Sequence, residues 1–261
     1  MAVREDLIFD VGFHRGEDTD FYLKMGFRVV GVEANPELCS EARERFRGPI
    51  EDGRLTLVNK AVATQPGEVT FYLSERSAWG TIDPRWAERN ARMGVTNQPL
   101  TVEATTVEAL TSEFGVPYYA KFDIEGFDMV GVEGLRAAED RPLYISVESE
   151  KDSFNGLRRE FEVLTSLGYD RFKIVSQEKV PKQRCRGLDH TFPRGSSGQF
   201  GEDAPGKWLS AEEAIEAYKS VFVTYALVGD DPIFSRPVQS LAWRLGMRPD
   251  WYDTHARLSG A

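Results

Sequence analysis

The stretch that most constrains this chain is Leu7-Ile8-Phe9-Asp10-Val11-Gly12-Phe13-His14-Arg15-Gly16-Glu17-Asp18-Thr19-Asp20. An apolar run ends in an acid, crosses two glycines and enters an acidic helix start. This is the first strand and first turn of a nucleotide-fold domain, where glycine lets the backbone approach a ligand. A dinucleotide site would put pyrophosphate on that helix N-terminus, where N–H groups and dipole favour an anion. Here Glu17, Asp18 and Asp20 occupy the first turn and would repel it. The spacing is Gly-x-x-x-Gly rather than Gly-x-Gly-x-x-Gly. The turn therefore suits a nucleoside that lacks phosphate and carries positive charge, of which S-adenosylmethionine is one.

The net charge of −10 argues against a nucleic-acid partner, because phosphate binding needs a basic surface. Arg184, Arg186 and Arg194 form one local basic candidate. The two cysteines, Cys39 and Cys185, build no disulfide framework and have no metal-ligand spacing. A reducing cytoplasm is expected, since the first strand leaves no room for a leader and no apolar run reaches membrane-span length.

Read in order, residues 5–11 form a strand buried on both faces, 17–25 a helix closed by Gly26, and 27–32 a second buried strand. Asn35 caps the next helix and Pro36 opens it. Residues 54–58 form a third strand whose end, Asn59-Lys60-Ala61-Val62, can line an adenine pocket. Residues 68–73 add a strand, 77–98 read as a polar, loop-rich block carrying Trp79 and Trp86, 102–107 as a short strand and 107–114 as a helix. Tyr118-Tyr119-Ala120-Lys121-Phe122-Asp123-Ile124-Glu125-Gly126 repeats the pattern of a strand ending in acids and a glycine. Residues 143–147, 171–175 and 251–258 supply further strands, the last inserted antiparallel beside the fifth. Helices are expected over 155–167 and 210–218, with irregular chain over 176–208 and mixed, partly helical chain over 220–247.

Glu33 closes the second strand, where an acid accepts hydrogen bonds from ribose hydroxyls. Asp10, Glu33, Asp123 and Glu148 all fall at strand ends, and such a row fits a cationic ligand better than a phosphate.

The blocks Asp10-Val11-Gly12-Phe13-His14-Arg15-Gly16, Val32-Glu33-Ala34-Asn35-Pro36, Lys121-Phe122-Asp123-Ile124-Glu125-Gly126 and Trp251-Tyr252-Asp253-Thr254-His255-Ala256-Arg257 resemble the FkbM family of S-adenosylmethionine-dependent methyltransferases. Many members carry Ala-Asn where Phe13-His14 stand. The resemblance implies an α/β, class I methyltransferase (Rossmann-like) fold: a doubly wound seven-stranded sheet of order 3-2-1-4-5-7-6. Residues 1–261 would form one domain, with core 1–176 and 249–261 and a lid-like insertion over 177–248. It implies O-methylation of a hydroxyl on a natural product or sugar. It places Asp10, Gly12, Phe13, His14, Gly16, Thr19, Glu33, Ala34, Asn35, Asn59, Ala61 and Asp123 around the cofactor.

Methyl transfer requires an aligned acceptor, exclusion of water and removal of a proton. Asp123, Glu125, Glu148 and His190 are the candidate catalytic groups, and Trp79, Arg194, Ser196 and Ser197 the candidate acceptor contacts. A divalent metal held by Asp123, Glu125 and Glu148 is possible chemically but not favoured. The expected partner is a small-molecule or glycan acceptor, with no nucleic acid and no membrane. The competing readings are a nicotinamide-dependent oxidoreductase on the same fold and a non-catalytic nucleoside-binding module.

Overall fold

The computed structural model describes residues 2–151, 153–229, 236–244 and 250–258. The chain runs β1 (Val3–Val11), α1 (Glu17–Lys24), β2 (Arg28–Val32), α2 (Pro36–Arg45), α3 (Arg47–Glu51), β3 (Leu55–Val58), β4 (Ala61–Val62), β5 (Gly67–Ser74), α4 (Pro84–Arg92), β6 (Asn97–Thr105) and α5 (Val107–Phe114). It continues through β7 (Val116–Phe122), α6 (Asp128–Gly134), β8 (Tyr144–Glu148), α7 (Phe154–Ser166), β9 (Tyr169–Ser176), α8 (Ala211–Val228), α9 (Arg236–Arg244) and β10 (Tyr252–Leu258). Seven strands form the main sheet in the order β3-β2-β1-β7-β8-β10-β9. β10 is antiparallel to both β8 and β9, while the other pairs are parallel. Counted by core strands alone, this is 3-2-1-4-5-7-6, as the resemblance implies.

Strand alternation builds the two faces. Leu7, Phe9 and Val11 of β1 join one buried cluster with Leu157, Phe161 and Leu164 of α7 and Tyr218 of α8. Ile8, between them, joins the opposite cluster with Phe21 and Tyr22 of α1. Each face is closed by helices, which is why β1 reads as an unbroken apolar run.

Residues 77–98 are more regular than expected. Asp83 caps α4 by accepting from the Arg85 N–H at 2.8 Å, and Pro84 takes the first turn, where a missing N–H costs nothing. The block joins β5 to β6, which pair antiparallel in a small second sheet of order β4-β6-β5.

The segment expected as a lid is tied to the core over its first part. Phe200 stacks on Tyr119 with ring centroids 4.2 Å apart, and Phe192 packs on Phe21 at 4.9 Å. Lys173 Nζ donates to the carbonyls of Gly201, Glu202 and Ala204 at 3.0, 3.0 and 2.7 Å. α8 packs on α7 and β9 as a helix of the sheet's own layer. Of the segment 177–248, residues 230–235 and 245–248 lie outside the described residues, as do 1, 152, 249 and 259–261 of the expected core. Among the described residues, no helix is long and apolar enough to cross a membrane.

His255 on β10 is buried, and neither ring nitrogen has a hydrogen-bond partner among the described residues. Burial, then the nearby Lys173 ammonium, pushes its pKa down to about 3. The unfolded chain takes up this proton near pH ~6.5, the folded chain only near 3, so the contribution to stability is complete above ~6.5 and is lost as pH falls. Replacing His255 with Leu is therefore expected to flatten this acid limb. Between pH 6.5 and 5 the wild type loses about 2 kcal/mol that the variant keeps. Urea unfolding at the two pH values reads the difference.

Candidate functional site

A cavity of about 610 Å³ lies at the carboxyl ends of β1, β2 and β7. This is where a doubly wound sheet reverses its strand order and leaves a crevice. Gly12, Phe13, His14, Glu33, Ala34, Ala61, Asp123, Glu125, Glu148, Trp79 and Arg194 line it. These residues come from separate strand ends, the β5–α4 connection and the loop before α8, so only the fold brings them together.

The glycine turn after β1 is held tightly. Gly12 and Phe13 both donate from their N–H to the Val32 carbonyl at 3.0 Å. A Cβ built on Gly12 would stand 1.8 Å from the Asp123 carbonyl oxygen, at a φ of +87°, so any side chain would force β1 and β7 apart. Glu33 accepts from the His14 N–H at 2.7 Å and the Asn35 N–H at 2.8 Å. Burial pushes the Glu33 carboxyl up, while those donors pull it down. Glu33 lines the cavity, and each of its oxygens keeps a lone pair able to accept a hydroxyl. Asn59 lies behind this acid, donating from Nδ2 to the Glu33 and Ala34 carbonyls at 2.9 and 3.2 Å.

Among the described residues, His14 and Glu125 are the two non-glycines with positive φ, 52° and 45°. Both line the cavity. Strained backbone of this kind persists where its surroundings over-determine it, commonly at ligand sites. His14 Nδ1 lies 3.0 Å from Glu17 Oε1 and Nε2 lies 2.9 Å from Ser77 Oγ, which ties the glycine turn to the Trp79 wall. At Glu125 the backbone carbonyl accepts from Thr81 Oγ1 at 2.7 Å. The following Gly126 leaves room for Trp86, whose Nε1 would be 2.2 Å from a built Cβ.

Sequence reasoning passed over Lys121. It is 4% exposed, and its Nζ stands 3.6 Å from Asp10, 3.4 Å from Asp18 and 3.2 Å from Asp123. Burial disfavours its charge, but the three carboxylates outweigh that and hold its pKa well above the ordinary value. Burial in turn pushes Asp10 and Asp18 up, against the pull of Lys121. A lysine inside the strand Tyr118–Phe122, ending in acids, was the available signal.

Several expected residues support the cavity without facing it. Asp10 is buried and accepts from Thr19 Oγ1 at 2.7 Å. Gly16 lies under Phe13 and Phe46. Asn35 accepts from the Glu37 N–H at 2.9 Å and so caps α2. Asp18, an acid of the first turn of α1 that does line the cavity, accepts from the N–H groups of Ser197 and Gly198 at 3.0 and 3.2 Å. Ser196 and Ser197 are accordingly buried in that junction rather than lining the cavity.

His190 corrects a sequence expectation. Its ring lies 5.2 Å from Phe21 and 4.6 Å from Phe192, on the α1 face, and it does not line the cavity. The apolar face of α1 draws the loop's rings inward, and the imidazole goes with them. Burial, then Lys24, pushes its pKa down. Burial, then Glu148, Asp123 and Asp128, holds Glu125 well above the carboxylate range. Among the described residues, no group of three or more His, Cys, Asp or Glu side chains is arranged to hold a metal ion.

Removing the central cation is the sharpest test of this arrangement. Lys121→Met keeps the volume and strands three acids, and breaking a buried pair costs roughly 3–5 kcal/mol. Chemical denaturation should show a loss of that size.

Residues 10–171 match the family described as the methyltransferase FkbM domain. No curated protein matches the chain. Among solved structures, it is similar to a precorrin-6y C5,15-methyltransferase from Geobacter metallireducens, with 11% identity, coverage of 98% of this chain and 82% of that one, and a TM-score of 0.40. It is also similar to the 1,6-didemethyltoxoflavin-N1-methyltransferase of Burkholderia thailandensis, solved with S-adenosylhomocysteine, at 11% identity, 98% and 72% coverage and a TM-score of 0.39.

Proposed function

Because this chain belongs to the FkbM methyltransferase family, we propose that the cavity beside Gly12 binds S-adenosylmethionine and that an acceptor hydroxyl is methylated against the Trp79–Trp86 wall. The observation that carries this is Glu33: two backbone N–H groups fix its carboxylate, and its oxygens remain at the cavity beside the glycine turn. Glu17, Asp18 and Asp123 line the same cavity and suit a cationic amino-acid end. The cofactor supplies an electrophilic methyl carbon: a C–O bond forms, the S–C bond breaks, and the hydroxyl proton leaves.

The protein's share is to position the acceptor and take that proton. Asp123, Glu125 and Glu148 face the cavity, and His190 does not. Glu125 is the base in this proposal. Its proton is held by burial and neighbouring acids, and a cation arriving beside it favours the ionised form. Glu148 lies alongside, its Oε1 accepting from Lys151 at 2.7 Å. Trp79 and Arg194 are proposed acceptor contacts, and the loop between β9 and α8 is a wall whose tip, Arg194 and Gly195, lines the cavity.

Calorimetric titration with S-adenosylmethionine tests the first part. The wild type should bind, and Glu33→Gln should weaken binding roughly 10- to 100-fold, the worth of one or two charge-assisted hydrogen bonds. Binding of NAD without binding of S-adenosylmethionine would overturn the reading.

The base assignment has its own test at neutral pH. S-Adenosylmethionine should release protons on binding, because positive charge lowers the pKa of Glu125. S-Adenosylhomocysteine, lacking the sulfonium, should release fewer. Titrations in buffers of different ionisation enthalpy measure the difference, and Glu125→Gln should abolish it.

A further inference from the structure

A second cavity of about 610 Å³ adjoins the first, and Trp86, Arg89, Glu148 and Lys151 line both. One wall is α4, where Arg85, Arg89 and Arg92 recur at helical spacing and share a face. Arg159 of α7 and Lys151 add further cations to the same lining.

These cations are not equally engaged. Arg85 is committed to Asp83, with Nη2 2.7 Å from Oδ2. Arg89 lies over the Trp86 ring at 4.4 Å, at the passage between the cavities. Lys151 pairs with Glu148. Arg92 and Arg159 have no ion pair and no hydrogen bond among the described residues, and both line the second cavity.

The acids of that lining are mostly occupied from within. The Glu160 carboxyl accepts from the Glu150 N–H at 3.1 and 3.2 Å, Glu150 accepts from the Ser153 N–H at 3.2 Å, and Asp128 accepts from the Ile124 N–H at 2.8 Å. Burial pushes Asp128 up to about 7 and Glu160 up to about 9, which lowers their negative charge near neutrality. Glu133 is the exposed acid that remains. In a chain of net charge −10, the cavity wall therefore carries a local excess of free guanidinium.

Guanidinium groups bind carboxylate and phosphate oxygens through paired N–H donors. We infer that the methyl acceptor is an anionic molecule spanning both cavities, its accepting oxygen beside Glu125 and its phosphate or carboxylate end at Arg92 and Arg159. The inference rests on the methyl-transfer reading of the first cavity. It makes Arg92 and Arg159 determinants of acceptor choice and leaves the reacting atoms to the first cavity. Trp86 and Arg89 would flank the middle of such a molecule.

The test uses the full chain saturated with S-adenosylhomocysteine, titrated calorimetrically with pyrophosphate and with malonate. At least one anion should bind the wild type, and the stronger of the two identifies phosphate or carboxylate. Arg92→Glu combined with Arg159→Glu should weaken that anion at least tenfold, with S-adenosylhomocysteine affinity and unfolding midpoint unchanged, since both side chains are exposed. Arg92→Lys with Arg159→Lys should fall between, because the charge stays but paired donation is lost. A wild type that binds neither anion, or a Glu variant that binds like wild type, overturns the inference. Failure of the wild type to take S-adenosylhomocysteine would instead overturn the cofactor reading, and the same anion titrations on the unliganded chain would still decide the second cavity.

Discussion

The buried ammonium of Lys121 is the interaction on which the site depends. One cation faces Asp10 from β1, Asp18 from α1 and Asp123 from the end of β7. Without it, Asp10 and Asp18 would crowd a region that water barely reaches, and burial would drive these two carboxyls to protonate or separate. With it, the ends of the two central strands stay together, and the Asp123 carbonyl packs against Gly12 with no room for a side chain. The shape of the glycine turn and the charge beside it are therefore linked through Lys121 and Asp123.

From that centre the chain builds outward in two directions. Asp18 also receives the N–H groups of Ser197 and Gly198, so the loop before α8 is fastened to the cluster. That contact, with Phe200 stacked on Tyr119, turns a long irregular stretch into a wall. On the other side, His14 links the turn to Ser77, and Trp86 rests on Gly126. The tryptophan wall is thus coupled to the glycine turn through two residues in strained backbone, His14 and Glu125. The second cavity continues past Trp86, so the β5–α4–β6 excursion lines both cavities.

Much of the architecture was legible because it follows from local rules. Apolar runs ending in acids marked β1, β2, β7 and β8, and the unbroken run of β1 marked a strand buried on both faces, as the two clusters bear out. The Asn35–Pro36 pair marked the start of α2. The same chemistry, Asp83 followed by Pro84, opens α4, yet the polar character of 77–98 obscured it. A helix that buries only Ala87 and Asn90 carries too few apolar residues to stand out from a polar, loop-like block.

By itself, the sequence determined most strands of the sheet and the acids at its edge, because buried strands and glycine turns leave short-range marks, while the strand order followed from the family resemblance. Which acids face a ligand was decided only by tertiary structure. Glu33 lines the cavity, Asp18 and Asp123 line it while pairing with the buried lysine, and Asp10 serves the lysine without lining it. His190 looked like a base and became a ring among Phe21 and Phe192. Arg92 and Arg159, far apart in the chain, meet at one cavity. The physical reason is the same in each case: a side chain's charge and accessibility are set by neighbours that sequence distance does not record.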